Sequence, residues 1–192
     1  MKNNRTNIIM AIGLIAVAAI TRVICNEMHW YNFAPIAAIG LFSGAVIKEK
    51  RYAFLFAILG QLLADVYFQL FTSTPGFYDM SQLFVYGGLV LVTLLGAQMG
   101  QPRALKILGF SVAGSVVFFL LSNFGVWFSI EFGTKDLYGY GKGLQGLQTT
   151  FIMAIPFFKK SLMADVVGTG LLFGTYQLVQ SIYIGAVQKV KA

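Results

Sequence analysis

Six apolar runs follow one another along this chain, at residues 8–23, 34–47, 52–71, 81–99, 107–128 and 148–187, separated by short polar or basic stretches. Of the 192 residues, 57% are hydrophobic and only 11% are charged, which is more apolar surface than one soluble core hides. A bilayer core of about 30 Å takes roughly 20 apolar residues per helical pass. The expectation is an all-α integral membrane protein with a single transmembrane domain over residues 1–192. The net charge of +7 is spread over short basic clusters between the apolar runs, where topology and lipid headgroups account for it better than nucleic acid does.

Two runs depart from a simple span. Run 34–47 is short, but Pro35 falls in its first turn, where proline costs no helical hydrogen bond, so a full helix is expected to begin there. Region 148–187 contains Pro156 and then Lys159 and Lys160. At the bilayer centre each lysine costs on the order of 3 kcal/mol. Residues 148–158 are therefore read as an interfacial or re-entrant segment, the two lysines as a surface boundary, and 161–187 as the last helix of a six-transmembrane bundle. The basic N-terminus followed by run 8–23 has the outline of a secretory signal, yet it passes into Arg22, Cys25 and Asn26 without a small-residue cleavage pattern, so a retained first helix is expected.

Orientation follows from the positive-inside bias. With the N-terminus in the cytoplasm, the inner segments hold Lys2, Arg5, Lys48, Lys50, Arg51, Arg103, Lys106, Lys189 and Lys191 against Glu49 alone. The outer loops balance Lys135, Lys142, Lys159 and Lys160 with Glu27, Asp79, Glu131 and Asp136. His29, Trp30, Tyr31, Phe77, Tyr78, Trp127, Tyr138 and Tyr140 then fall at the outer interface, where amphipathic rings settle. Both termini are expected in the cytoplasm, and the chain in the inner (plasma) membrane.

Polar groups inside spans need a partner, a wet cavity or a function. At a rise of about 1.5 Å per residue, Asp65, Asn123 and Asp165 fall in the outer half of their helices, and Arg22 ends the first span. With Asn32 and Trp127 they define a candidate outward-facing pocket. Each also has a plainer reading: Arg22 snorkels to the surface, the aspartates pair with basic residues to hold helices together, and Asn123 makes an interhelical hydrogen bond. One cysteine, Cys25, and one histidine, His29, provide neither a disulfide nor a metal-ligand cluster, and no cofactor is expected. The former reads as a small hydrophobe and the latter as an interfacial residue. Glycines four apart, at 40 and 44, 96 and 100, and 170 and 174, permit close helix approach. Gln61-Leu62-Leu63-Ala64-Asp65-Val66 is echoed by Ser161-Leu162-Met163-Ala164-Asp165-Val166, which is either chance or a trace of duplication.

The strings Asn32-Phe33-Ala34-Pro35-Ile36-Ala37-Ala38-Ile39-Gly40-Leu41-Phe42-Ser43-Gly44-Ala45, Leu121-Ser122-Asn123-Phe124-Gly125-Val126-Trp127 and Ala154-Ile155-Pro156-Phe157-Phe158, with Asp165, resemble a family of uncharacterised bacterial six-helix membrane proteins. That family is similar in size, topology and outer-facing polar pocket to the substrate-binding S components of energy-coupling factor transporters. The resemblance implies capture of a vitamin-like or metal-related solute, with a shared ATPase and transmembrane module as partner. The alanine-spaced docking motif of the first S-component helix is absent. The function expected is a non-enzymatic transport component in which Arg22 meets an anionic group, the aspartates accept hydrogen bonds or meet cations, and Trp127 stacks. The alternatives are a membrane assembly protein without a ligand, and a small intramembrane enzyme using Asp65 and Asp165 as an acid and base.

Overall fold

The computed structural model describes residues 2–30, 33–133 and 136–190. Among them are six helices and no strand: α1 (Lys2–Glu27), α2 (Ile36–Val46), α3 (Lys50–Phe71), α4 (Ser81–Gln98), α5 (Ala104–Phe132) and α6 (Gly143–Val190). Four of these are long and apolar enough to cross a membrane, namely α3, α4, α5 and the Gly143–Ile182 part of α6. Large apolar side chains on their outward faces stay exposed, among them Leu63, Leu83, Leu105 and Leu171. The polar residues Gln61, Asp65, Thr93, Ser115 and Asp165 are instead buried. A helix with an apolar outside and polar groups turned inward matches a surrounding solvent of hydrocarbon.

The second helix is the first departure from expectation. It has 11 residues, too few to span a bilayer core of about 30 Å at about 1.5 Å per residue. Pro35 stands before its first turn as the N-cap rather than inside it. Residues 37–44 are all buried, because α2 runs through the centre of the bundle with α1, α3, α4, α5 and α6 around it. Its small residues make this position accessible. A Cβ at Gly44 would collide with the Thr93 carbonyl, and one at Gly96 with the Leu41 carbonyl, so α2 and α4 touch backbone to backbone. Gly170 and Gly174 have no such neighbour, and Gly100 serves instead as a positive-φ turn after α4. The core forms around the same helix, where Phe42 meets Phe173 and Tyr176 edge-on at 5.2 and 5.6 Å.

The last helix is the second departure. Residues 148–158 are not a separate interfacial or re-entrant piece, and Lys159 and Lys160 mark no helix boundary: α6 is one helix of 48 residues with Pro156 inside it. Proline in a helix interior costs about 3 kcal/mol and would ordinarily break it. Here the Phe119 ring of α5 packs on Phe151 and Phe158, at 5.8 and 4.5 Å between centroids, and so bridges both sides of the proline. Tertiary packing overrides the local break. Both lysines are exposed. At about 72 Å, α6 is more than twice the thickness of a bilayer core.

The helix ends define two faces of the bundle. At the basic end, Lys50 Nζ donates to the Gly44 and Ile47 carbonyls at 2.9 and 3.4 Å, closing the C-terminus of α2. Lys106 Nζ reaches the Met99 carbonyl after α4 in the same way. Cations there offset the negative end of a helix dipole. The opposite, aromatic end carries Trp30, Tyr78, Trp127, Tyr138 and Tyr140. The α5–α6 turn at this end is organised by Asp136, which accepts backbone N–H groups from Tyr138 and Gly141 at 3.2 and 2.7 Å. Those bonds, Gly141 first, hold its carboxyl below the usual carboxylate range.

Candidate functional site

Before α2, residues 33–35 lead into the bundle without regular secondary structure, and Pro35 is already buried. Two cavities flank this segment, and Ala34 and Ile36 line both. Asn32 lies outside the described residues. The other five candidates divide among three places rather than forming one pocket.

Arg22 and Asp65 form the first group. Arg22 Nη1 donates to Asp65 Oδ1 at 2.8 Å, and the guanidinium lies over the Phe68 ring at 4.9 Å. Asp65 also accepts from Gln61 Nε2 at 3.2 Å, Gln82 Nε2 at 3.3 Å and the Tyr86 hydroxyl at 2.8 Å. Its carboxylate is 1% exposed and ties α1, α3 and α4 together. A carboxylate offers about four lone-pair sites, so these donors saturate it. Sequence reasoning missed Gln61, Gln82 and Tyr86. The i, i+4 spacing of Gln61 and Asp65 was visible, but nothing local shows that α4 turns Gln82 and Tyr86 toward them.

The cavity beside this group has a volume of about 310 Å³ and is lined by Arg22, Cys25, Asn26, Trp30, Phe68 and Tyr78, among others. Asp65 does not line it. Arg22 thus faces the cavity with its charge already matched from behind. Tyr78 has an exposed ring but a desolvated phenol end, and burial, followed by the nearby Asp65 charge, pushes that phenol up to about 12.

Asp165 and Asn123 form the second group, at a cavity of about 220 Å³ between α5, α6 and the start of α2. Asp165 is 3% exposed. Its Oδ1 accepts the Ala38 backbone N–H at 3.2 Å, and its Oδ2 accepts the Ser115 hydroxyl at 2.8 Å. Pro35 makes no side-chain cap, so a carboxylate from another helix satisfies one of the free donors at the N-terminus of α2. Gly168, one turn along, is where Pro35 packs; a Cβ there would strike the proline ring. Asn123 commits its amide Nδ2 to the Phe119 carbonyl of its own helix at 2.8 Å, while its side chain still lines the cavity. The interhelical hydrogen bond expected of it is therefore not the one this amide makes.

Trp127 stands apart from both cavities. Its Nε1 donates to the Gly143 carbonyl at 2.9 Å and its ring packs on Phe124, which fastens the end of α5 to the start of α6. In this position it stiffens the hairpin. Asp65 and Asp165 line neither cavity together, and no group of three or more His, Cys, Asp or Glu side chains gathers among the described residues.

These features define a helical protein with an apolar exterior, a short helix buried at its centre and two cavities beside the start of that helix. The chain belongs to the family of unknown function DUF6580, whose pattern matches residues 2–188. No curated protein and no solved structure matches it.

Proposed function

We propose that this protein is a multi-pass inner-membrane component that binds a small solute in a pocket opening at its aromatic end. In this reading α1 to α6 form a bundle in the bilayer, the basic end and both termini face the cytoplasm, and the aromatic end faces outward. The similarity to S components of energy-coupling factor transporters belongs to the same reading, with docking on a shared ATPase module as its second half.

One observation carries the proposal: residues 33–35 enter the bundle as irregular backbone and α2 begins only at Ile36, with Ala34 and Ile36 lining a cavity on each side. At membrane depth, non-helical backbone is tolerated only where it is buried in protein or lines a water-filled cavity, and broken helices in membrane bundles mark solute sites. An assembly protein without a ligand has no need of it. Among the described residues, Asp165 lines one of the two cavities and Asp65 lines neither, which gives the enzyme reading less support.

Two measurements test the proposal. A single cysteine placed in the 48–51 loop should label only from the cytoplasmic side and one at Asp136 only from outside; the reverse pattern overturns the orientation. Mass spectrometry of the gently purified protein should find a retained small molecule that Ser122→Trp, which fills the Asp165 cavity, or Asn26→Trp, which fills the Arg22 cavity, expels. Absence of any such molecule favours the assembly reading.

A further inference from the structure

The two cavities differ in charge, and that difference identifies a class of solute. The Arg22 cavity is backed by a matched ion pair. The Asp165 cavity contains a buried carboxylate and no lysine or arginine in its lining. Among the described residues no basic group lies within salt-bridge distance of Asp165. Lys159 and Lys160 are close in sequence, but sit roughly 120° and 140° around the helix from it and are exposed. The α2 N-terminus offsets only about half a unit charge. Of about four lone-pair sites, the Ala37 and Ala38 N–H groups and the Ser115 hydroxyl engage three, leaving one toward the cavity. Phe118 and Phe119 from α5 and Phe157 and Phe158 from α6 also line this cavity.

A buried carboxylate with no counter-charge among the described residues, in a cavity lined by four phenylalanines, is matched by a positive group that tolerates loss of water. Resting on the solute-pocket reading above, we propose that the Asp165 cavity takes a small organic cation, an amine or quaternary ammonium head, with Asp165 as its counter-ion and the phenylalanines as its cation–π walls. An anion would meet Asp165 as a like charge. A hydrated divalent metal would need more oxygen or nitrogen ligands than one carboxylate and a few hydroxyl or amide groups offer. Organic ammonium groups, which shed water more readily, are the cations that aromatic cages select.

The test uses the full-length protein in nanodiscs, with choline and n-butylammonium as probes and 3,3-dimethylbutan-1-ol as the neutral isostere of choline. Calorimetry should show at least one cation binding about tenfold or more tighter than the neutral isostere. Asp165→Asn keeps an acceptor for the Ala38 N–H and a partner for Ser115. It should abolish that preference while leaving the thermal unfolding midpoint near that of the parent. Phe158→Leu, which keeps apolar bulk but removes a ring, should weaken the cation severalfold without affecting the isostere. Equal binding of cation and isostere, or a preference that survives Asp165→Asn, overturns the proposal. If neither cation binds but Ser122→Trp expels a neutral or anionic co-purifying molecule, the cation proposal falls and the solute pocket stands. If neither binds and no small molecule co-purifies, both fall.

Discussion

Asp65 and Asp165 sit in nearly the same local sequence, Leu-Leu-Ala-Asp-Val and Leu-Met-Ala-Asp-Val, and both are almost fully buried. Their surroundings are opposite. Asp65 receives a guanidinium, two amides and a phenol, which leave its charge matched and its lone pairs occupied. Asp165 receives a helix N-terminus and one serine hydroxyl, and opens on a cavity. The residue before each aspartate is a buried alanine in both helices, and one turn earlier α3 carries Gln61, a donor to Asp65, where α6 carries Ser161. The rest of the difference comes from what is packed opposite: α1 and α4 bring a cation, an amide and a phenol to Asp65, whereas α2 and α5 bring backbone N–H and a hydroxyl to Asp165. One helical bundle thus holds one buried carboxylate in a saturated clamp and leaves another facing a cavity.

The largest effect should separate the two. Asp65→Ala strands Arg22 and three other donors in a buried setting, a loss on the order of 3 to 5 kcal/mol. Thermal unfolding in detergent should show a sharp fall in midpoint and in folded yield. A near-neutral result would show that Arg22 escapes to water and that the clamp is not one.

Next is Gly168→Ala, whose Cβ strikes Pro35 and pushes the start of α2 away from Asp165. Overpacking of this kind costs about 1 to 3 kcal/mol. Stability should fall and cation binding should weaken together, while the Arg22 and Asp65 pair is undisturbed.

Asp165→Ala removes a cap from α2 but also removes a buried carboxyl group that no cation among the described residues balances. The expected loss is about 1 to 2 kcal/mol, the size of a cap, and smaller than that of Asp65→Ala. Equal losses for the two alanine variants would mean that Asp165 has a counter-charge after all, and the contrast would be void.

Smallest is Trp127→Phe, which removes the hydrogen bond to Gly143 at the end of the hairpin. A loss of about 0.5 to 1.5 kcal/mol is expected, with ligand retention unchanged. Loss of retention without loss of stability would return Trp127 to the site.

The sequence alone determined that the chain is helical with largely apolar outer faces. Six apolar runs with few charges require helices in an apolar surrounding, because backbone N–H and C=O groups cannot remain unpaired there, and the clustering of basic residues at alternate junctions marks one end of the bundle. It also marked Arg22, Asp65, Asn123 and Asp165 as costly groups in need of partners. Only the tertiary structure decided who those partners are. Local pattern read Pro35 as an early helical residue and Pro156 as a break. Packing around α2 made the first a cap at the centre of the bundle, and Phe119 bridged the second into one long helix. Helical spacing fixes which residues share a face of one helix, but the charge state a carboxylate must bear and the cavity it faces depend on side chains from other helices. Those arrive from far along the chain, as Ala38 and Ser115 do at Asp165.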